Sequence, residues 1–224
     1  MSDPLRDRLI DAAFTELATA GWRRSTIAAV CSRADARERD FRREFATMTG
    51  VVLAGLRRFN DAVYAAAQDL EPEDTARERL FELILARFEA ARPHKAAVAE
   101  LRRAALSDPV LGAALAQSLD QTMELILHQA GIETDGIIGR ARRTVLAGLV
   151  YAPVLDTWLK DDSETMGPTM SELDKRLERA EQLARLTRPS QIGRARIDRG
   201  HAAARPSDGA AAGTTPEPGT GEPQ

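Results

Sequence analysis

The chain has 224 residues, 43% of them hydrophobic and only 4% aromatic, with a formal net charge of −3. That length allows one or two domains with a real core, and the acidic balance excludes a uniformly basic nucleic-acid binder. The charge is uneven, however. Residues 1–60 hold eleven arginines against eight carboxylates, a basic head on an acidic body, which is the distribution a modular DNA binder would carry.

Helical periodicity runs through most of the chain, and Ala and Leu supply most of its apolar side chains. A first helix starts at Pro4, with Ser2 or Asp3 as cap, and carries the stripe Leu9, Ile10, Ala13, Phe14, Leu17, Ala20. Gly21 ends it, and Trp22 follows as a core anchor. Ser25 is the expected cap of a short second helix over 26–33, with Ile27, Val30 and Cys31 inward. Asp35 is the expected cap of a third over 36–45, with Phe41 and Phe45 inward. Two short helices joined by a tight turn behind a longer one match a helix-turn-helix bundle.

Thr47 or Thr49 opens a fourth helix with Val52, Leu56, Phe59 and Val63 on one face, broken at Leu70-Glu71-Pro72. A fifth covers 74–91, using Leu80, Leu83, Ile84 and Phe88. Arg92-Pro93 stops it, and a sixth covers 94–106. Asp108-Pro109 is a cap followed by a first-turn proline, opening a seventh helix to residue 130. The eighth starts near Thr134 or Asp135 and reaches about 159, with a kink expected at Pro153. The ninth spans 168–186. From Arg188 the pattern collapses into Ala, Gly, Pro, Thr and Arg, and the tail is expected to be disordered. The expectation is an all-α chain with no strand. Its parts are a head at 1–60, a helical body at 61–187 and a tail at 188–224.

Residues 6–58 resemble the TetR-family helix-turn-helix. The resemblance is carried by Leu9-Ile10-Asp11-Ala12-Ala13, Gly21-Trp22, Ser25-Thr26-Ile27-Ala28-Ala29-Val30, then Phe41 and Phe45 with a helix soon after. The Arg92-Pro93-His94 turn, the Trp158–Ser163 stretch and Thr169–Leu177 are also similar to the TetR-like ubiquinone-biosynthesis lipid-binding protein. The family's reading segment usually runs Ala-Gly-Val-Ser-x-x-Thr-Leu-Tyr-x-His-Phe. Here Asp35 replaces the turn glycine, Asp40 the threonine, Arg42 the tyrosine and Glu44 the histidine, and Met48 stands where a phosphate-contacting lysine is usual.

The resemblance implies a DNA-binding transcriptional regulator, by default a repressor, controlled by a small apolar effector or lipid. The DNA contacts expected of it are Arg23, Arg24, Thr26, Arg37, Arg39, Arg42 and Arg43, on double-stranded DNA. The expected ligand walls are Phe81, Phe88, Met123, Ile126, Tyr151 and Trp158. A homodimer is expected through the eighth and ninth helices, with Leu146, Leu149, Val150, Leu173, Leu177 and Leu183 at the contact. The departures in the reading segment leave open a lipid- or isoprenoid-binding accessory protein with a retired DNA-reading helix.

Other chemistry finds little support. His94, His128 and His201 are scattered, so no metal site is expected. Cys31, on an apolar face, reads as packed rather than nucleophilic, and Asp161-Asp162 reads as a solvated or capping pair in a helix break. Neither an enzyme nor a cofactor is expected. One cysteine, a polar start after Met1 and no apolar run of about 20 residues point to a soluble cytoplasmic protein without stable membrane insertion.

Overall fold

In the computed structural model residues 4–187 are described; the proposed tail and its arginines lie outside them. Eleven helices follow in order, and no strand occurs among the described residues. They are α1 (Pro4–Ala20), α2 (Ile27–Arg33), α3 (Glu38–Glu44), α4 (Met48–Arg58), α5 (Asn60–Ala66), α6 (Ala76–Ala91), α7 (Lys95–Ala105), α8 (Pro109–Gln129), α9 (Gly136–Val145), α10 (Ala152–Trp158) and α11 (Gly167–Thr187). Short 3₁₀ turns occupy Trp22–Arg24 and Arg92–His94.

The head is built on α1. Its buried stripe, Leu9, Ile10, Ala13, Phe14 and Leu17, packs against α2 and α4. The close approach of α4 depends on Gly55, where a Cβ would lie 2.2 Å from the Phe14 ring. Phe41 is fully buried and stacks obliquely on Phe45, 5.7 Å between centroids, which seats α3 on the head.

Caps differ from the sequence expectation at two places. Thr26, not Ser25, caps α2, its hydroxyl accepting from the Ala29 N–H; the Ser25 hydroxyl instead donates to the Gly21 carbonyl. Asp35 does not cap α3. It sits at φ +49° in the turn after α2, and the following Ala36 N–H reaches back to the Cys31 carbonyl at 2.9 Å. That is the left-handed terminus of a helix, normally occupied by glycine. Helix α3 therefore begins later, with Arg37 at its cap position and no side-chain cap bond.

The fourth predicted helix is divided at Phe59 into α4 and α5. The buried Arg87 of α6 reaches into this break: Nε donates to Asn60 Oδ1 at 2.9 Å and Nη2 to the Leu56 carbonyl at 3.4 Å. A side chain entering the backbone ladder is a recognised cause of such breaks. Thr75 and Glu78 form a reciprocal capping box at the start of α6. Asp108 caps α8, accepting from the Val110 and Leu111 N–H groups. Its other oxygen accepts from the Trp22 indole at 2.9 Å, so Trp22 is a half-buried tie between the head and α8 rather than a deep core residue.

The eighth predicted helix becomes α9, a π-turn over Leu146–Tyr151, and α10. Pro153 lies in the first turn of α10. Proline has no N–H and its ring crowds the carbonyl four residues back; the wider π-turn just before it accommodates both. At the start of α11, Asp161 accepts from the Thr169 N–H (3.0 Å) and hydroxyl (2.6 Å). Ser163 donates to the same carboxylate through its N–H (3.1 Å) and hydroxyl (2.6 Å). Asp161 is thus a capping carboxylate, and Asp162 pairs with Lys95 at 3.1 Å.

Leu146, Val150, Leu173 and Leu177 are buried within their own chain, so they are unavailable for the intersubunit contact expected of them. The periodicity that marked them as apolar reports burial and not the partner. Leu149 is half-buried and Leu183 is exposed. The exposed apolar side chains nearby are Ile137, Ile138 and Val145 on α9.

Candidate DNA-reading face and ligand cavity

The two short helices present an arginine-bearing surface. Arg23, Arg24, Arg37, Arg39, Arg42 and Arg43 are all exposed. Arg23 and Arg24 sit on the 3₁₀ turn before α2, where Arg24 Nε holds the Ala20 carbonyl at 2.9 Å. Thr26 is exposed at the start of α2, its hydroxyl engaged in capping. The other four lie on or just before α3.

The unusual acids of this segment have structural partners. Glu44 is turned back onto α1, where Arg6 holds it at 3.2 Å while lying 4.6 Å over the Phe45 ring. Glu38 and Asp40 are in the first turn of α3, where the helix dipole favours negative charge. Glu38 faces Arg42, its i,i+4 neighbour, at 4.0 Å, and Asp40 faces Arg39 at 3.8 Å. Arg37 and Arg43 have no ion-pair partner among the described residues. Met48, at the first position of α4, is half-buried against the core. Cys31 is buried; desolvation first, then Glu38 and Asp40, push its thiol up, which disfavours the thiolate.

The body encloses a second feature. A cavity of about 290 Å³ opens between the α4–α5 break, α6, α7, α8 and the π-turn–α10 segment. Of the anticipated wall residues, Phe88, Tyr151 and Trp158 line it. Phe88 stacks on Tyr151 at 5.0 Å and lies 5.4 Å from Trp158. Phe81, Met123 and Ile126 do not line it. Met123 and Ile126 are wholly buried in the core, and Phe81 is half-buried against it. Helical spacing cannot separate a side chain facing a void from one facing another side chain.

Sequence reasoning missed the cavity's charged wall. Arg87 is 7% exposed and lines the cavity. Nη1 donates to the Tyr151 hydroxyl. The guanidinium lies 5.5 Å from the Tyr151 ring centroid and 5.9 Å from that of Phe59. The signal was present: Arg87 falls four residues after Leu83 and four before Ala91, on the buried stripe of α6. Ser118 and Thr122 add small polar groups from α8, and both are buried.

His94 stands where the head meets the body, 5.1 Å from the Phe14 ring and 5.7 Å from that of Phe59. Burial and then the neighbouring Arg58 lower its pKa below the usual 6.5, so the ring is neutral at neutral pH. Among the described residues there is no cluster of His, Cys, Asp or Glu able to hold a metal ion, and no helix long and apolar enough to cross a membrane.

No protein-family model matches the chain, and no curated protein matches it. Solved structures do. A TetR transcriptional regulator from Nitrosomonas europaea superposes with a TM-score of 0.65 at 18% identity, over 80% of this chain and 99% of that one. A TetR-family transcriptional regulator from Rhodococcus sp. gives 0.58 at 21% identity, over 79% and 98%. A further TetR regulator, from Rhodococcus sp. RHA1, gives 0.57 at 15% identity, over 78% and 94%. At these identities the likeness is one of fold: the chain has the all-helical TetR fold.

Proposed function

We propose that the protein is a dimeric DNA-binding transcriptional regulator, a repressor, whose DNA affinity is controlled by a small apolar molecule. The observation that carries this reading is the exposed arginine face of α2 and α3, joined through α4 to a body that holds an apolar cavity. Residues 1–60 are the DNA-reading head and 61–187 the ligand-binding and dimerising body.

In this reading α3 enters the major groove. Arg37 and Arg43, without an ion-pair partner among the described residues, are the strongest candidates for phosphate or guanine contacts. Arg23, Arg24 and Thr26 grip the backbone from the start of α2, and Arg39 and Arg42 exchange their weak pairs with Asp40 and Glu38 for phosphates. Pairing of Glu44 with Arg6 removes one carboxylate from the groove-facing side. A two-fold dimer would set the two heads about one DNA turn apart. The exposed Ile137, Ile138 and Val145 of α9 are available for such a contact. Ligand in the cavity acts by binding one spacing of the heads better than the other, a population shift.

The test is charge reversal. The double variant Arg37→Glu/Arg43→Glu is expected to lose sequence-specific duplex binding by at least about a hundredfold, since two phosphate or base contacts are reversed, while melting and sedimenting as the wild type does. Unchanged DNA affinity in a folded double variant would sink the assignment. The accessory-protein reading draws on the departures Asp35, Asp40, Glu44 and Met48 in the reading segment. It predicts no duplex preference in the wild type.

A further inference from the structure

We propose that the cavity in the body is a receptor for an amphipathic anion, a carboxylate of about eight carbons in all with an apolar tail, its headgroup held by Arg87 and Tyr151. This rests on the reading of the cavity as the effector site and names the effector's chemical class.

Eighteen residues line the cavity, and only two are charged: Arg87 and Arg102. Arg102 is exposed and already paired with Asp156. Arg87 is different. It is more than nine-tenths buried and has no carboxylate within ion-pair distance among the described residues. Arginine cannot discharge itself by losing a proton. A buried cation facing only neutral acceptors is costly unless an anion arrives.

Its acceptors here are all neutral: the Asn60 amide oxygen, the Leu56 carbonyl and the Tyr151 hydroxyl. Tyr151 is not a hidden counter-ion, because burial pushes its phenol up and keeps it protonated, an effect that outweighs the pull of Arg87. Three donor bonds leave two of the five guanidinium N–H groups for a ligand. The Tyr151 hydroxyl proton also has no acceptor among the described residues. A carboxylate oxygen at this pole can accept from both side chains.

The rest of the wall sets the tail. Phe88, Leu101, Leu115, Leu119, Leu155 and Trp158 are apolar. A volume of about 290 Å³, at roughly 30 Å³ per non-hydrogen atom by analogy with water, holds about ten such atoms. Octanoate has that size. The position of Arg87 also gives the ligand a route to the head. The same guanidinium holds Leu56 and Asn60, the last turn of α4 and the first residue of α5. A carboxylate that takes the two unused N–H groups and shifts the guanidinium toward itself also weakens its longest bond, 3.4 Å to the Leu56 carbonyl, and loosens that break; α4 is the helix that follows the DNA-reading α3.

The experiment is calorimetric titration of the full-length wild-type protein with octanoate, 1-octanol and octylamine, then of Arg87→Met and Arg87→Lys with octanoate. Octanoate is expected to bind at least tenfold tighter than octanol, with no measurable octylamine binding. Arg87→Met is expected to lose that tenfold preference, and Arg87→Lys to retain part of it. Octanol or octylamine binding as tightly as octanoate to the wild type would overturn the proposal without reliance on any variant's folding, as would absence of octanoate binding. Duplex binding, measured separately without ligand, distinguishes the two readings. Sequence-specific DNA binding with no octanoate preference overturns the anion site alone. An octanoate preference without DNA binding supports the anion site and removes the regulator.

Discussion

Two carboxylates show how single residues set local geometry in this chain. Asp35 stands at φ +49°, where an L residue is strained and glycine is not. A left-handed L residue costs roughly 1–2 kcal/mol and glycine's extra chain entropy takes back about 0.5–1 kcal/mol, so Asp35→Gly is expected to give a small net stabilisation, read as a higher urea midpoint with an unchanged slope; a lower midpoint would mean the Asp35 side chain contributes something the turn geometry does not reveal. Asp161 carries the opposite lesson. Burial alone would raise its pKa, but four hydrogen bonds from Ser163 and Thr169 outweigh it and hold the carboxyl at about 2, below the usual 3.8. A depressed carboxyl pKa stabilises the fold at pH values above the unfolded pKa and ceases to do so as the pH falls through the folded one. Asp161→Ala is expected to cost about 1–2 kcal/mol at pH 7, the range for a lost helix cap. The gap between variant and wild type should narrow as pH falls from about 4 to about 2. A gap constant over that range would show that the carboxylate's charge is irrelevant to its capping.

At the level of elements, the head depends on how closely α4 lies on α1. A methyl group at Gly55 would overlap the Phe14 ring. Gly55→Ala improves helix propensity by about 1 kcal/mol, yet overpacking costs about 1–3 kcal/mol, so the net expectation is destabilisation. Thermal melting decides it; a variant more stable than wild type would mean that Phe14 moves aside at little cost. Most elements were readable before the structure because each has its own local signal. Asp108-Pro109 marks the start of α8, and the Leu80–Phe88 stripe marks α6. What could not be read was how neighbouring elements modify one another. The fourth predicted helix is split at Phe59 by an arginine from α6, a contact no local window contains. The expected kink at Pro153 is taken up by a π-turn beginning seven residues earlier, because the wider turn satisfies proline's demands along the same helix. The cavity was only half legible for the same reason. Phe88, Tyr151 and Trp158 face it, whereas Met123 and Ile126 have the same periodicity and face the core. Arg87 had the clearest overlooked signal, a charge in the middle of an apolar stripe.

For the whole molecule, the basic head inferred from composition corresponds to an exposed arginine face on α2 and α3, while the acidic body holds a cavity among α6, α7, α8 and α10 with the buried Arg87 in its wall. The unusual acids of the reading segment are largely accounted for within the chain: Asp35 in a turn, Glu38 and Asp40 at a helix start, Glu44 on Arg6. They therefore do not by themselves mark a retired DNA-reading helix. The most direct measurement of the central claim is binding of the protein to the DNA flanking its own coding sequence and to a scrambled duplex, across a salt series. A regulator binds its own duplex at least about a thousandfold tighter than the scrambled one, with a preference that survives as salt rises. Equal, weak binding to both that vanishes at moderate salt would reflect phosphate attraction alone and would contradict the account.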